Sequence, residues 1–175
     1  MIPLFDWISW TRVLGLVSYT VPILMCAFGL WRRRRVGTKG RILAVVAGVQ
    51  LALLLDMTFN WRWLLHEVWM QEAAAFHVYE FRRTPQLISL VVLVGLVSGS
   101  VGLAIYRLRR RPGVALAVAG TVCSVGVWCA ETLSYHFLDA VLYRMVGSVM
   151  AVAFVWLGLS SVTGLGLWIE NEGGS

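Results

Sequence analysis

The sequence predicts an all-α fold: a polytopic transmembrane helical bundle of about five spans, with an amphipathic, Trp-rich helix on the outer surface. Three observations carry that expectation. Hydrophobic residues make up 59% of the 175 positions and charged residues 14%, against roughly a quarter charged in soluble domains. The apolar residues gather in long uncharged runs, as spanning helices require. The cations gather in two short segments between those runs. A water-soluble domain of this length would strand too much apolar surface, and the alternating pattern of a membrane barrel is missing.

The runs define a single integral membrane domain over residues 1–175, with spans at about 13–31, 42–57, 87–106, 114–130 and 145–169. Each is near the ~17–25 residues that cross the hydrocarbon core. The first contains Pro22 and ends at four consecutive arginines, 32–35. The second holds Gln50 in its middle and Asp56 near its end, and reaches full length if its helix continues toward Asn60. The third stops at "RLRRRP", and the fifth is the longest.

Arginine placement sets the expected orientation. The arginines at 32–35, Lys39 and Arg41 lie between spans one and two, and Arg107, Arg109, Arg110 and Arg111 between spans three and four. Those ten residues are two-thirds of the 15 cations. Cationic loops stay on the cytoplasmic side, so the N-terminus is expected outside and the C-terminus inside. The opening "MIPLFDWISW" has no basic region, so a cleavable signal peptide is not expected. The net charge of +6 follows from topology and anionic lipid, and nucleic acid is not an expected partner. Fourteen arginines against one lysine suggest a high-GC bacterial genome, hence the bacterial cytoplasmic (inner) membrane.

That orientation gathers Asp6, Asp56, Glu67, Glu72, Glu80, Glu131 and Asp139, with His66, His77 and His136, at the outer side; only Glu170 and Glu172 fall inside. In "WRWLLHEVWMQE" the residues Trp61, Leu64, Leu65, Val68 and Trp69 recur at helical spacing and make an apolar stripe. Tryptophan favours the headgroup boundary, so this segment reads as a helix running on from span two and lying at the outer surface. In the second outer segment Leu133, Phe137 and Val141 make a similar stripe.

Two outer stretches, "EAAAFHVYE" (72–80) and "ETLSYHFLD" (131–139), share one frame, a glutamate five before a histidine and a carboxylate three after it. On a helix those positions fan over ~140°, with the histidine and the later carboxylate on one face. His77 with Glu80, and His136 with Asp139, form a candidate metal set, because imidazole with carboxylate suits iron, manganese, zinc or copper. Asp56, His66, Glu72 and Glu131 are the candidate second tier or proton relay. The helical di-iron pattern places its glutamate before the histidine, and here the order is reversed. Local His–carboxylate pairing on an interfacial helix explains the same residues without a metal. A bis-histidine haem through His66 and His136 is less expected than a divalent transition metal, since both histidines sit at helix ends.

Asp56 and Glu131 lie at span boundaries, where Arg62 or Arg144 are the expected partners, and Gln50 is expected to bond between helices. Cys26, Cys123 and Cys129 fall inside spans with no C-x-x-C, which favours packing over redox chemistry. Gly95 and Gly99 stand in G-x-x-x-G spacing, which lets helices approach closely. No phosphate loop, Ser-His-Asp order or nucleotide motif occurs. Two functions from different classes fit. The first is a non-catalytic accessory or assembly subunit that meets other membrane subunits, or copies of itself, in the bilayer. The second is a membrane oxidoreductase or metal-handling protein with its His/carboxylate site at the outer face.

Overall fold

A backbone in hydrocarbon must satisfy its own hydrogen bonds, and in a single segment only a helix does so. The computed structural model describes residues 9–32, 38–62, 64, 65, 67, 68, 71, 83–133 and 135–172. Helix α1 covers Trp10–Arg32, α2 Thr38–Phe59, α3 Arg83–Arg107 and α4 Pro112–Leu133. The short α5, His136–Leu142, and a hairpin of β1, Met145–Val146, with β2, Val149–Met150, lead into α6, Ala151–Glu172. The five long helices are each long and apolar enough to cross a membrane. Pro112 opens α4, where a missing N–H costs nothing and a fixed φ suits the first turn.

Two boundaries differ from the sequence reading. Span two and the outer segment are not one continuous helix. Asn60 sits at φ 60°, the left-handed conformation that ends helices and that asparagine tolerates; helical geometry resumes at residues 61, 62, 64, 65, 67, 68 and 71. The apolar run 145–169 is also not all helix. Gly147 at φ 65° turns "MVGSVM" into a hairpin pairing Met145 with Met150 and Val146 with Val149. A glycine first in a two-residue turn is the type II′ signature. The Ala151 N–H donates to the Arg144 carbonyl at 2.9 Å, so α6 starts from a closed strap.

Helix α1 packs between α2 and α6, and α6 packs between α1 and α4; α2 and α4 close the ring with the least contact, and α3 lies outside it on α4. One apolar core, with Tyr19, Leu53, Met57, Val152 and Trp156, lies toward the end where α1 begins. A second, with Cys26, Leu43, Val46, Ala117 and Leu167, lies toward the opposite end. Between them Gln50 Nε2 donates to Thr121 Oγ1 at 3.2 Å, joining α2 to α4 as expected for a mid-span amide. The alternating helix directions put Asp56, Glu131 and Asp139 at one end, and Arg41, Arg107, Arg109, Arg110 and Arg111 at the other.

Close approach is achieved by α4 and α6. A Cβ on Gly166 would sit 2.5 Å from both the Ala117 nitrogen and the Gly113 carbonyl oxygen, and one on Gly113 would sit 2.7 Å from the Gly166 oxygen. Gly95, Gly99 and Gly102 on α3 instead meet nothing within 4 Å, and no described residue of α3 is buried. The G-x-x-x-G pair therefore packs on nothing among the described residues. Gly166→Ala is expected to lower thermal stability in detergent. Its overpacking cost of ~1–3 kcal/mol exceeds the gain of at most ~1 kcal/mol in helix propensity. Gly95→Ala in the monomer is expected to be neutral or slightly stabilising, read from the same melting curves.

Candidate functional site

The end of α2 builds the site. After the Asn60 reversal the chain folds back over the helix it has just left, and the Arg62 N–H donates to Asp56 Oδ1 at 2.9 Å. The Arg62 side chain then enters the end of the bundle. Its Nε lies 3.5 Å from Asp56 Oδ2, and its Nη1 donates to Glu131 Oε2 on α4 at 2.7 Å. Nη2 approaches Met57 Sδ at 3.6 Å, and the guanidinium stacks over the Trp156 ring of α6, 5.3 Å from its centroid. The two carboxylates are buried, Asp56 at 4% and Glu131 at 6% exposure, and the Arg62 side chain is only 12% exposed.

The surroundings explain how the cluster survives burial. A guanidinium offers five donors in one plane and stacks on aromatic faces, so a single Arg62 serves two carboxylates and an indole at once. Glu131 also lies beside the Tyr143 phenol and the Trp156 indole, and Tyr19 of α1 is buried close by. Burial, then the negative charge of Glu131, pushes the Tyr143 hydroxyl up to about 12. Beside the cluster opens a cavity of about 360 Å³, lined by Arg12, Asn60, Arg62, Asp139, Tyr143 and Trp156 among others. Arg12 Nη2 donates to the Thr58 carbonyl, and the Met150 N–H donates to Thr11 Oγ1 at 2.9 Å, so α1 and the hairpin frame the cavity mouth.

The sequence-derived candidates divide sharply. Asp56 and Glu131, on different spans, are brought together through Arg62, one of the two partners expected; Arg144 is exposed and contributes its carbonyl to the hairpin closure. His136 is exposed on α5, and Asp139, one turn on, lines the cavity. His66, Glu72, His77 and Glu80 lie outside the described residues. Among the described residues no group of three His, Cys, Asp or Glu could hold a metal ion. The two cysteines of α4 and Cys26 of α1 are free thiols. Tyr19 and Trp156 escaped the sequence reading, because nothing in a lone apolar helix says which neighbour an aromatic will face; Tyr143 reads from the sequence only as an interfacial residue beside Arg144. Asn60 carried a usable signal, an asparagine directly after the last apolar position.

Two carboxylates around one guanidinium leave a formal excess of one negative charge when both are ionised. Such an arrangement holds three chain segments together and accommodates a proton or a hydrogen-bonding group at its edge. Compared with protein-family models, with curated proteins and with solved structures, the chain matches none. Its class therefore rests on its own architecture: an all-helical chain with five helices able to span a bilayer, consistent with a membrane protein, and an arginine-centred charge cluster at one end.

Arg62→Met leaves two buried carboxylates without their partner, and is expected to cost ~3–5 kcal/mol in denaturation measured in detergent. Adding Glu131→Gln should recover part of that loss, with a coupling above ~0.5 kcal/mol; simple additivity would mean the groups do not act together. Tyr143 sets a pH dependence. Its hydroxyl titrates near 10 when unfolded and at about 12 when folded, so the folded state holds its proton more tightly. Stability from this group is intact below pH ~10 and falls as pH rises from there toward ~12. Thermal melts across that window should show a shallower alkaline loss in Tyr143→Phe than in the native protein.

Proposed function

We propose that this chain is a non-catalytic accessory or assembly subunit of a bacterial inner-membrane complex, with its N-terminus outside and its C-terminus in the cytoplasm. The observation that carries this reading is α3. It is 25 residues long, none of its described residues is buried, and Gly95, Gly99 and Gly102 have open space where side chains would be. Lipid tails gain nothing from glycine, whereas another transmembrane helix packs closely against small residues. The orientation rests on the segregation of Arg41, Arg107, Arg109, Arg110 and Arg111 to one end of the bundle. The outer segment supports a position at the opposite lipid boundary, since Trp61, Leu64, Leu65 and Val68 are exposed and Phe59 stacks on Trp61 at 5.6 Å.

The buried Asp56–Arg62–Glu131 cluster beside its cavity favours a second reading, a membrane oxidoreductase or metal-handling protein at the outer face. In that reading His77, Glu80, His136 and Asp139 are the ligands of a divalent transition metal, with Asp56, His66, Glu72 and Glu131 behind them. Metal analysis and an optical spectrum of the folded, purified protein separate the two: a metal-free, colourless sample removes the second.

For the first, the tagged chain extracted from its native membrane in mild detergent should sediment above the 19.5 kDa of one copy. Paired Gly95→Leu and Gly99→Leu substitutions should return it to that mass without loss of helicity. A native chain that sediments as a monomer overturns the assembly reading.

A further inference from the structure

The least-closed seam of the ring, between α2 and α4, is a groove of about 310 Å³ lined by Ile42, Val45, Val49, Val118, Val122 and Val125, with Arg41 also in its lining. The single hydroxyl on its wall, Thr121 Oγ1, is already committed. It donates to the Ala117 carbonyl at 2.9 Å and accepts from Gln50 at 3.2 Å. What remains is an aliphatic slot, and its β-branched walls have little rotamer freedom with which to collapse into it. Arg41 lies in the first turn of α2 at the basic end of the bundle, is exposed, and has no ion-pair partner among the described residues. Glu170 and Glu172, the acids at that end, lie on α6, which does not line the groove.

We propose that this groove binds one acyl chain of an anionic phospholipid, with the headgroup phosphate on the Arg41 guanidinium. Size selects the occupant. The lining residues cover about two helical turns, ~10 Å, and a helix ~10 Å across would need more than twice the volume over that length. A hydrocarbon chain is thin enough, and the wholly apolar floor offers nothing to a polar solute. Charge selects the headgroup, because a cation at the membrane surface favours an anionic lipid over a zwitterionic one. The inference is independent of assembly through α3.

Native mass spectrometry of the full chain from micelles holding equal phosphatidylglycerol and phosphatidylcholine tests it. Phosphatidylglycerol should be retained preferentially. Arg41→Gln should reduce that preference about fivefold, the equivalent of ~1 kcal/mol for one basic residue at the surface. Val122→Trp, which fills the slot, should abolish retention while helicity and melting temperature hold. Should the tryptophan disturb folding, the exposed Arg41→Gln keeps the test decisive. Equal retention of both lipids by the native chain, or unchanged preference in Arg41→Gln, overturns the proposal. So does a disulfide between two copies carrying Val45→Cys, which would show a second helix covering the groove.

Discussion

A guanidinium taken out of water must be surrounded by charge and dipoles that replace its hydration, or the fold does not form around it. Arg62 meets that demand by drawing on three separate parts of the chain. Asp56 comes from α2, Glu131 from α4, and the Trp156 face from α6. None of these three helices could shift along its axis without uncovering the cation. Tyr19 of α1 is buried in the same region, so every member of the four-helix ring has a side chain in or beside the cluster. The apolar core around Leu53, Met57 and Val152 adjoins the pairing through Met57 and Trp156, which both touch Arg62.

At the opposite end the described helices meet chiefly through shape. The backbones of α4 and α6 meet through Gly113, Ala117 and Gly166 with no room for a methyl group. Dispersion contacts between two close backbones replace the hydrophobic drive that lipid surroundings remove. The ring is thus held by electrostatics at one end and by steric fit at the other. Helix α3 shares in neither; it packs on α4, through Val97 against Gly126 and a Gln86 Nε2 hydrogen bond to the Leu133 carbonyl at 3.2 Å.

How legible this was in the sequence depended on the range of the signal. The five spans were readable because each rests on a local property, an apolar run bounded by cations or turn residues. The Asp56 and Glu131 partnership with Arg62 was readable because charges at span boundaries have few neighbours to choose from. Gln50 was readable for the same reason, since a lone amide in hydrocarbon needs an interhelical partner. The hairpin at 145–150 was hidden because "MVGSVM" is as apolar as the helix that follows, and only Gly147 distinguishes a turn from a first helical turn. The G-x-x-x-G spacing of Gly95 and Gly99 named a face without naming its neighbour. A close pair lay instead at Gly113 and Gly166, on different helices and far apart in sequence, with no fixed spacing to mark it. Tyr19, Tyr143 and Trp156 depended on which helices adjoin, which periodicity along one helix does not encode.

The reversal at Asn60 also bears on how the chain enters the bilayer. Because Arg62 follows α2 instead of sitting within it, the second span can partition as an ordinary apolar segment without carrying the costly cation into hydrocarbon. Its second carboxylate lies 69 residues downstream, in a span not yet made when α2 inserts. Arg62 therefore has a reason to move inward only once the fourth span has arrived, which makes the ion pair a latch that closes on a completed set of helices.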